Sequence, residues 1–208
     1  VGVGGPCKAN EVAAGKPTAT IYACLDEATA LRMAREIGTE VYRIEPTTDE
    51  PGVEVCAPMK NVYAIALGLS DGLEEATGFP HHNLKAATFS QAVREMSLLS
   101  TKLGADAVTA FGLAGVGDLE VTGLSGRNKV YGLRIGRGEP AQDALAAMVA
   151  AEQTVEGVPA AGLALELVQQ LGGDALLDEL PLLKAVASIL EGGDDPAGLV
   201  TEAVLPKV

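Results

Sequence analysis

Apolar residues return at steps of three and four along most of this chain, and at steps of two near its start. Thr18-Ala19-Thr20-Ile21-Tyr22-Ala23 is a short run rich in β-formers and predicts a strand. Between Asp26 and Ile37, Ala28, Leu31 and Ala34 share one stripe while Arg32 and Glu36 fall off it. That spacing predicts a helix, with Gly38 closing it as the residue past its end. Glu40-Val41-Tyr42-Arg43-Ile44 alternates as a strand does. The polar stretch 45–52, EPTTDEPG, reads as a connector and a domain boundary.

After Gly52 the pattern becomes helical. Val55, Met59, Val62, Ala66 and Leu69 lie on one stripe, as do Phe89, Ala92, Val93, Met96, Leu99 and Leu103. A third stripe holds Ala160, Leu163, Ala164, Leu167, Val168 and Leu171. Breakers separate the segments: Gly78-Phe79-Pro80, Gly104, Gly136-Arg137-Gly138, Gly172-Gly173 and Gly192-Gly193. Pro140 and Pro196 suit first helical turns, and Asp195 suits a cap. The pattern predicts a mainly α chain. Residues 52–208 form an all-α domain of six to eight helices, and residues 1–51 form the α/β tail of another domain.

Composition narrows this further. The 208 residues set a prior of one or two domains. Hydrophobic residues make up 48% and aromatics 3%, with no Trp, so the core is built from Ala, Leu, Val and Ile. The net charge of −13 argues against a general nucleic-acid or anionic-membrane surface, because both need excess positive charge. An anionic small molecule would need a local basic patch. Cys7, Cys24 and Cys56 are too few and too scattered for a disulfide framework or zinc site, so reduced thiols, no metal and a cytoplasmic location are expected. Uninterrupted apolar runs are too short for a membrane span. The start lacks an initiator Met and the marks of a signal peptide, and reads as part of something longer.

Three segments could carry chemistry. Lys60-Asn61 is a polar pair within the apolar stretch 53–69, with Pro58 read as a first-turn proline. The pair either faces solvent or places a lysine in a partly desolvated cleft, where it can exchange a proton with a carbonyl or hydroxyl oxygen. Asp118 follows the glycine-rich run 112–117. It either closes a turn or serves a site; the run is not a dinucleotide fingerprint. Ser125 reads as a helix cap, which places Gly126, Arg127 and Asn128 in a first turn whose unpaired N–H groups favour anions. Arg127, Lys129, Arg134 and Arg137 cluster within eleven positions, and Arg127 adds a fork suited to phosphate. A solvated basic face is the plain alternative, and it fits Arg134 and Arg137 better. His81 and His82 read as loop residues.

In order and spacing, several stretches resemble the NAD(P)-dependent glycerol-3-phosphate dehydrogenases. They are GPCKANEVAAGKPTA (5–19), MKNVYAIALGLSDGL (59–73), FGLAGVGDLEVT (111–122), GRNKVYG (126–132) and VEGVPAA (155–161). The resemblance implies a helical substrate domain, like the C-terminal domain of 6-phosphogluconate dehydrogenase, preceded by the end of a Rossmann-like cofactor domain. It implies interconversion of sn-glycerol 3-phosphate and dihydroxyacetone phosphate, which supplies phospholipid precursors, with NAD or NADP as cofactor. Lys60 then acts as catalytic acid/base with Asp118 beside it. Gly5, Cys7, Asn61, Thr122, Arg127 and Asn128 contact substrate, and Ala9, Arg127, Thr154 and Glu156 contact cofactor. A small phosphorylated substrate and a homodimer are the partners it implies. Cys7 departs from the Ser or Thr usual in bacterial members, and Lys8 is atypical. The chain lacks both the nucleotide fingerprint and the second lysine of the family's first domain. The chain alone is therefore expected to be inactive. The alternative is a non-catalytic helical interaction or phosphate-binding module.

Overall fold

The computed structural model describes residues 1–206, so the helical region expected over 52–208 is seen as far as Pro206. The chain begins with strand β1 (Gly2–Gly4), a short helix α1 (Ala9–Ala13), strand β2 (Thr18–Ala23), helix α2 (Glu27–Ile37) and strand β3 (Tyr42–Thr47). Two long helices follow, α3 (Glu50–Thr77) and α4 (His82–Lys102). A 3-10 turn (Ala107–Phe111) and a π turn (Leu113–Gly117) lead into α5 (Asp118–Leu124). The rest is α6 (Arg127–Gly136), α7 (Ala141–Ala150), α8 (Gly157–Leu171), α9 (Gly173–Asp178), α10 (Pro181–Leu190) and α11 (Pro196–Val204). The fold is mainly α with a small three-stranded sheet.

The chain divides into two compact units, each made of two segments: Val1–Lys60 with Met96–Val121, and Asn61–Glu95 with the chain from Thr122 onward. The 51/52 change from mixed to helical texture lies inside the first of them.

In the first unit β2 is the central strand, antiparallel to β1 and parallel to β3. The β2–α2–β3 run is therefore a βαβ crossover, and α2 packs on the sheet. Asp26 caps α2, its carboxylate accepting from the Thr29 N–H at 3.2 Å. Gly38 ends α2 in extended backbone at φ −61 rather than the left-handed form expected of it. Its glycine serves space, because a Cβ would stand 2.5 Å from the Ala34 carbonyl oxygen. The connector expected over 45–52 shrinks to Thr48-Asp49. β3 stays in register to Ala23↔Thr47, with Pro46 tolerated because it lies on an edge strand. Asp49 ties this region together. It accepts from Thr109 Oγ1 at 2.5 Å and from the Asp106 N–H at 3.2 Å. Pro58 lies inside α3 as its ninth residue rather than in its first turn.

The second unit is helix on helix, with α10 touching α7, α8, α9 and α11. Its tightest seam joins α3 to α6 through glycines. A Cβ on Gly68 or Gly72 of α3 would overlap the carbonyl oxygens of Lys129 and Leu133. A Cβ on Gly132 or Gly136 of α6 would overlap those of Ile65 and Leu69. Backbone meets backbone there, which is how a core poor in aromatics fills space. Buried Glu95 of α4 accepts from the N–H groups of Leu182 and Leu183 at 2.7 and 2.9 Å, so it serves as a remote cap for α10. Tyr63 Oη and Gln91 Nε2 also donate to it. Burial pushes its carboxyl above the usual range against these donors.

Nine α-helices follow residue 49 among the described residues, more than the six to eight expected. The glycine-rich run 112–117 forms the π turn that leads into α5, and Gly173, one of the two breakers at 172–173, opens a short α9. Pro140 is the cap of α7 rather than a first-turn residue. Pro196 and Asp195 sit as expected, the Asp195 carboxylate accepting from the Gly198 N–H at 3.0 Å. His82 begins α4, and His81 immediately precedes it. The window Ala107–Leu124 has the length and hydropathy, 1.2, of a membrane span, yet it comprises three helical pieces of different pitch and carries Asp118 and Glu120.

Candidate active site

The first unit holds an ammonium–carboxylate pair. α3 carries Lys60 and the start of α5 carries Asp118. Lys60 Nζ lies 2.5 Å from Asp118 Oδ2, with side chains 21% and 6% exposed. Lys60 is therefore part-buried and paired rather than facing open solvent. Asp118 Oδ2 also accepts from the Gly5 N–H at 3.1 Å. Gly5 turns just past β1 at φ +116, and a Cβ there would press on the Thr20 backbone at 3.0 Å. Thr20 Oγ1 donates to the Gly4 carbonyl at 2.6 Å, which pins the turn from the sheet side. Asp118 thus receives one charged and one main-chain donor, an arrangement that holds its carboxylate in a fixed direction. Cys7 is exposed in the turn before α1, and Ala9 is the exposed first residue of α1.

The second unit holds a polar ring. The Gly157 N–H, at the start of α8, donates to Asn128 Oδ1 at 2.8 Å. Asn128 Nδ2 donates to Asn61 Oδ1 at 2.9 Å. Asn61 Nδ2 faces Glu156 Oε2 at 3.5 Å, and Arg127 Nη2 meets Glu156 Oε1 at 3.0 Å. Gly126, not Ser125, is the cap residue of α6, so Arg127 and Asn128 open its first turn. Thr122 lies half-buried on α5, and Thr154 is exposed ahead of α8. Gly157 was not singled out from the sequence. The small residue after Glu156 was the only signal, and its role is main-chain.

The basic cluster is largely neutralised. Lys129 meets Asp71 at 2.9 Å, Arg134 meets Glu139 at 2.7 Å, Arg137 pairs with Glu75 and Arg127 pairs with Glu156. Burial works against ionised Asp71, but hydrogen bonds from Lys85 and Lys129 outweigh it and hold its carboxyl below the ordinary value. Charge counting along the sequence could not see these partners, because three of the four carboxylates lie at least 29 residues away.

The βαβ crossover offers a test for a dinucleotide. A pyrophosphate cradle needs a glycine-rich turn and an open helix N-terminus after a strand. Here the turn is Cys24-Leu25-Asp26, without glycine, and the Asp26 carboxylate already occupies the N-terminus of α2. These residues do not fit a pyrophosphate. Among the described residues no group of three or more His, Cys, Asp and Glu side chains is arranged to hold a metal ion.

The family model described as NAD-dependent glycerol-3-phosphate dehydrogenase C-terminus matches residues 49–201. A glycerol-3-phosphate dehydrogenase [NAD(P)+] of Pelodictyon phaeoclathratiforme is 38% identical over 89% of this chain and 53% of its own length. A chloroplastic glycerol-3-phosphate dehydrogenase [NAD(+)] of Arabidopsis thaliana is 36% identical over 100% of the chain and 47% of its own length. The crystal structure of glycerol-3-phosphate dehydrogenase from Coxiella burnetii superposes with TM-score 0.83 at 32% identity, covering 98% of this chain and 59% of that one. The chain spans about half the length of the curated relatives it matches.

Proposed function

The chain belongs to the NAD-dependent glycerol-3-phosphate dehydrogenase C-terminal family, and from that premise we propose that it supplies the proton-transfer and phosphate-holding groups for interconverting dihydroxyacetone phosphate and sn-glycerol 3-phosphate. The observation that carries this reading is the Lys60 ammonium held 2.5 Å from buried Asp118, on the residue directly before Asn61.

Reducing a ketone adds hydride at carbon and a proton at oxygen. NAD(P), when bound, would supply the hydride, and the residues of the βαβ turn are not the ones that would hold its pyrophosphate. As negative charge grows on the substrate oxygen, Lys60 stabilises it and gives up a proton; in reverse it takes one back. Asp118 keeps the Lys60 side chain extended toward that oxygen. Arg127 grips the phosphate with its fork, helped by the open N–H groups at the start of α6, so remote binding energy fixes the reacting carbon in place. Gly5, Cys7 and Thr122 border the substrate, and Ala9, Thr154 and Glu156 border the cofactor. Residues 1–51 are the end of the cofactor domain, and 52–208 are the substrate domain. The assembly is a homodimer in the cytoplasm.

In the full gene product, Lys60→Ala is expected to lower kcat on the order of 10²–10⁴-fold with the fold intact. A variant retaining most of its kcat would remove Lys60 from this role. Residues 1–208 alone are expected to show no turnover of NADH by absorbance.

A further inference from the structure

The hydrogen bonds around Asn128 run in one direction from a starting point that cannot reverse. A main-chain N–H only donates, so the Gly157 N–H at 2.8 Å fixes Asn128 with its amide oxygen toward α8 and Nδ2 turned away. Nδ2 donates to Asn61 Oδ1 at 2.9 Å, which turns Asn61 in the same sense. With its oxygen spent on Asn128, Asn61 presents Nδ2 toward Glu156 Oε2. The frame is rigid. A Cβ on Gly157 would stand 2.5 Å from the Asn61 carbonyl oxygen, so the start of α8 meets α3 with no side chain between them. Asn128 itself is 5% exposed.

We propose that Asn128 is a positioning residue. It holds Asn61 with amide N–H groups outward, so that Asn61 admits only a ligand oxygen able to accept. The Glu156 carboxylate marks the ligand position, with one oxygen facing Asn61 Nδ2 and the other facing Arg127 Nη2. The identity of the ligand rests on the function proposed above; the relay does not.

Asn128→Asp tests this. It preserves shape and the acceptor for Gly157, but sets an oxygen against Asn61 Oδ1, so Asn61 must turn over. Side-chain amide hydrogen exchange on the isolated chain, followed by ¹⁵N NMR, reads the relay directly. In the wild type, the Asn128 amide hydrogens are expected to exchange roughly tenfold more slowly than those of Asn61, because they are buried against an acceptor. In Asn128→Asp, the Asn61 amide hydrogens should become protected. Equal exchange of the two wild-type amides overturns the relay even if the variant does not fold. In the full gene product, Asn128→Asp should lower kcat/KM for dihydroxyacetone phosphate roughly tenfold, and less than about twofold when Asn61→Ala is already present. Additive losses overturn the positioning role. A wild-type gene product that turns over neither substrate refutes the proposed function and leaves the exchange result to decide the relay.

Discussion

Lys60–Asp118 and Arg127–Glu156 are both cation–carboxylate pairs, and they stand far apart in exposure. The first is 2.5 Å long with side chains 21% and 6% exposed; the second is 3.0 Å long with side chains 50% and 55% exposed. Bringing Lys60 and Asp118 out of water costs free energy that their attraction returns only in good geometry. The Gly5 N–H and the turn at φ +116 supply that geometry. Arg127 and Glu156 lose little hydration, so their pairing is weak and an incoming anion can replace the carboxylate. One pair is fixed by its surroundings, and the other is open to exchange with solvent ions.

The largest expected effect comes from breaking the buried pair. Asp118→Ala strands Lys60 and the Gly5 N–H, and is expected to destabilise the chain by about 3 kcal/mol in urea unfolding. A loss below about 1 kcal/mol would put Lys60–Asp118 in the same class as the exposed pair.

Next is the seam that places Arg127 and Asn128. Gly132→Ala drives a methyl group into the Ile65 carbonyl, and is expected to cost about 1–3 kcal/mol and weaken phosphate capture by moving α6. Gly162→Ala, with nothing within 4 Å of its Cβ, is expected to stabilise by up to about 1 kcal/mol through helix propensity. Equal urea midpoints for the two variants would remove the seam as the element that sets the exposed pair.

Glu95 extends the comparison to a buried carboxylate whose donors, Tyr63, Gln91 and the Leu182 and Leu183 N–H groups, are all neutral. Its carboxyl is raised in the folded chain, so between the ordinary value of 4.5 and the raised one the folded state binds more protons than the unfolded state. Stability from this group is therefore full below about 4.5 and falls as pH rises through that window. The stability of wild type relative to Glu95→Gln should be greatest near pH 4.5 and smaller at pH 7, as read by urea midpoints across pH. A difference that grows toward pH 7 contradicts the assigned direction.

The smallest effect belongs to the exposed pair. Glu156→Gln is expected to cost about 0.2–1 kcal/mol, vanishing in high salt. It should also strengthen binding of inorganic phosphate to the isolated chain more than the charge-matched control Glu166→Gln does. Equal gains would mean that only net charge, and not the seat beside Arg127, governs phosphate.

The sequence made the helices legible where apolar stripes were long. The Ala28–Leu31–Ala34 stripe defines α2, and the Val55–Leu69 stripe defines α3. Short elements were hidden. β1 is three residues, two of them glycine, and forms only because β2 offers it a partner. α5 is not predicted, because Gly112, Gly115 and Gly117 just before it suggest turning chain. Yet a Cβ on Gly115 would overlap the Ala110 carbonyl, so that glycine serves close packing within a helical run. Lys60, Asn61, Asp118, Arg127 and Asn128 could be picked out because motifs fixed their order. Their grouping into an ammonium–carboxylate pair and a separate amide relay depends on distances across 29 to 95 residues, and no local pattern carries those.

The bonds from Glu95 to Leu182 and Leu183 span 87 and 88 residues. On a ribosome adding about 5–20 residues per second, Leu182 is made roughly 4–17 s after Glu95. During that interval α4 presents a carboxylate and an apolar face with their eventual partner not yet synthesised, while the intervening stretch Met96–Val121 emerges to join the other unit. The second unit therefore closes only after α10 has left the ribosome exit tunnel. Slowing translation before residue 181 lengthens the time its half-built core stays open to aggregation.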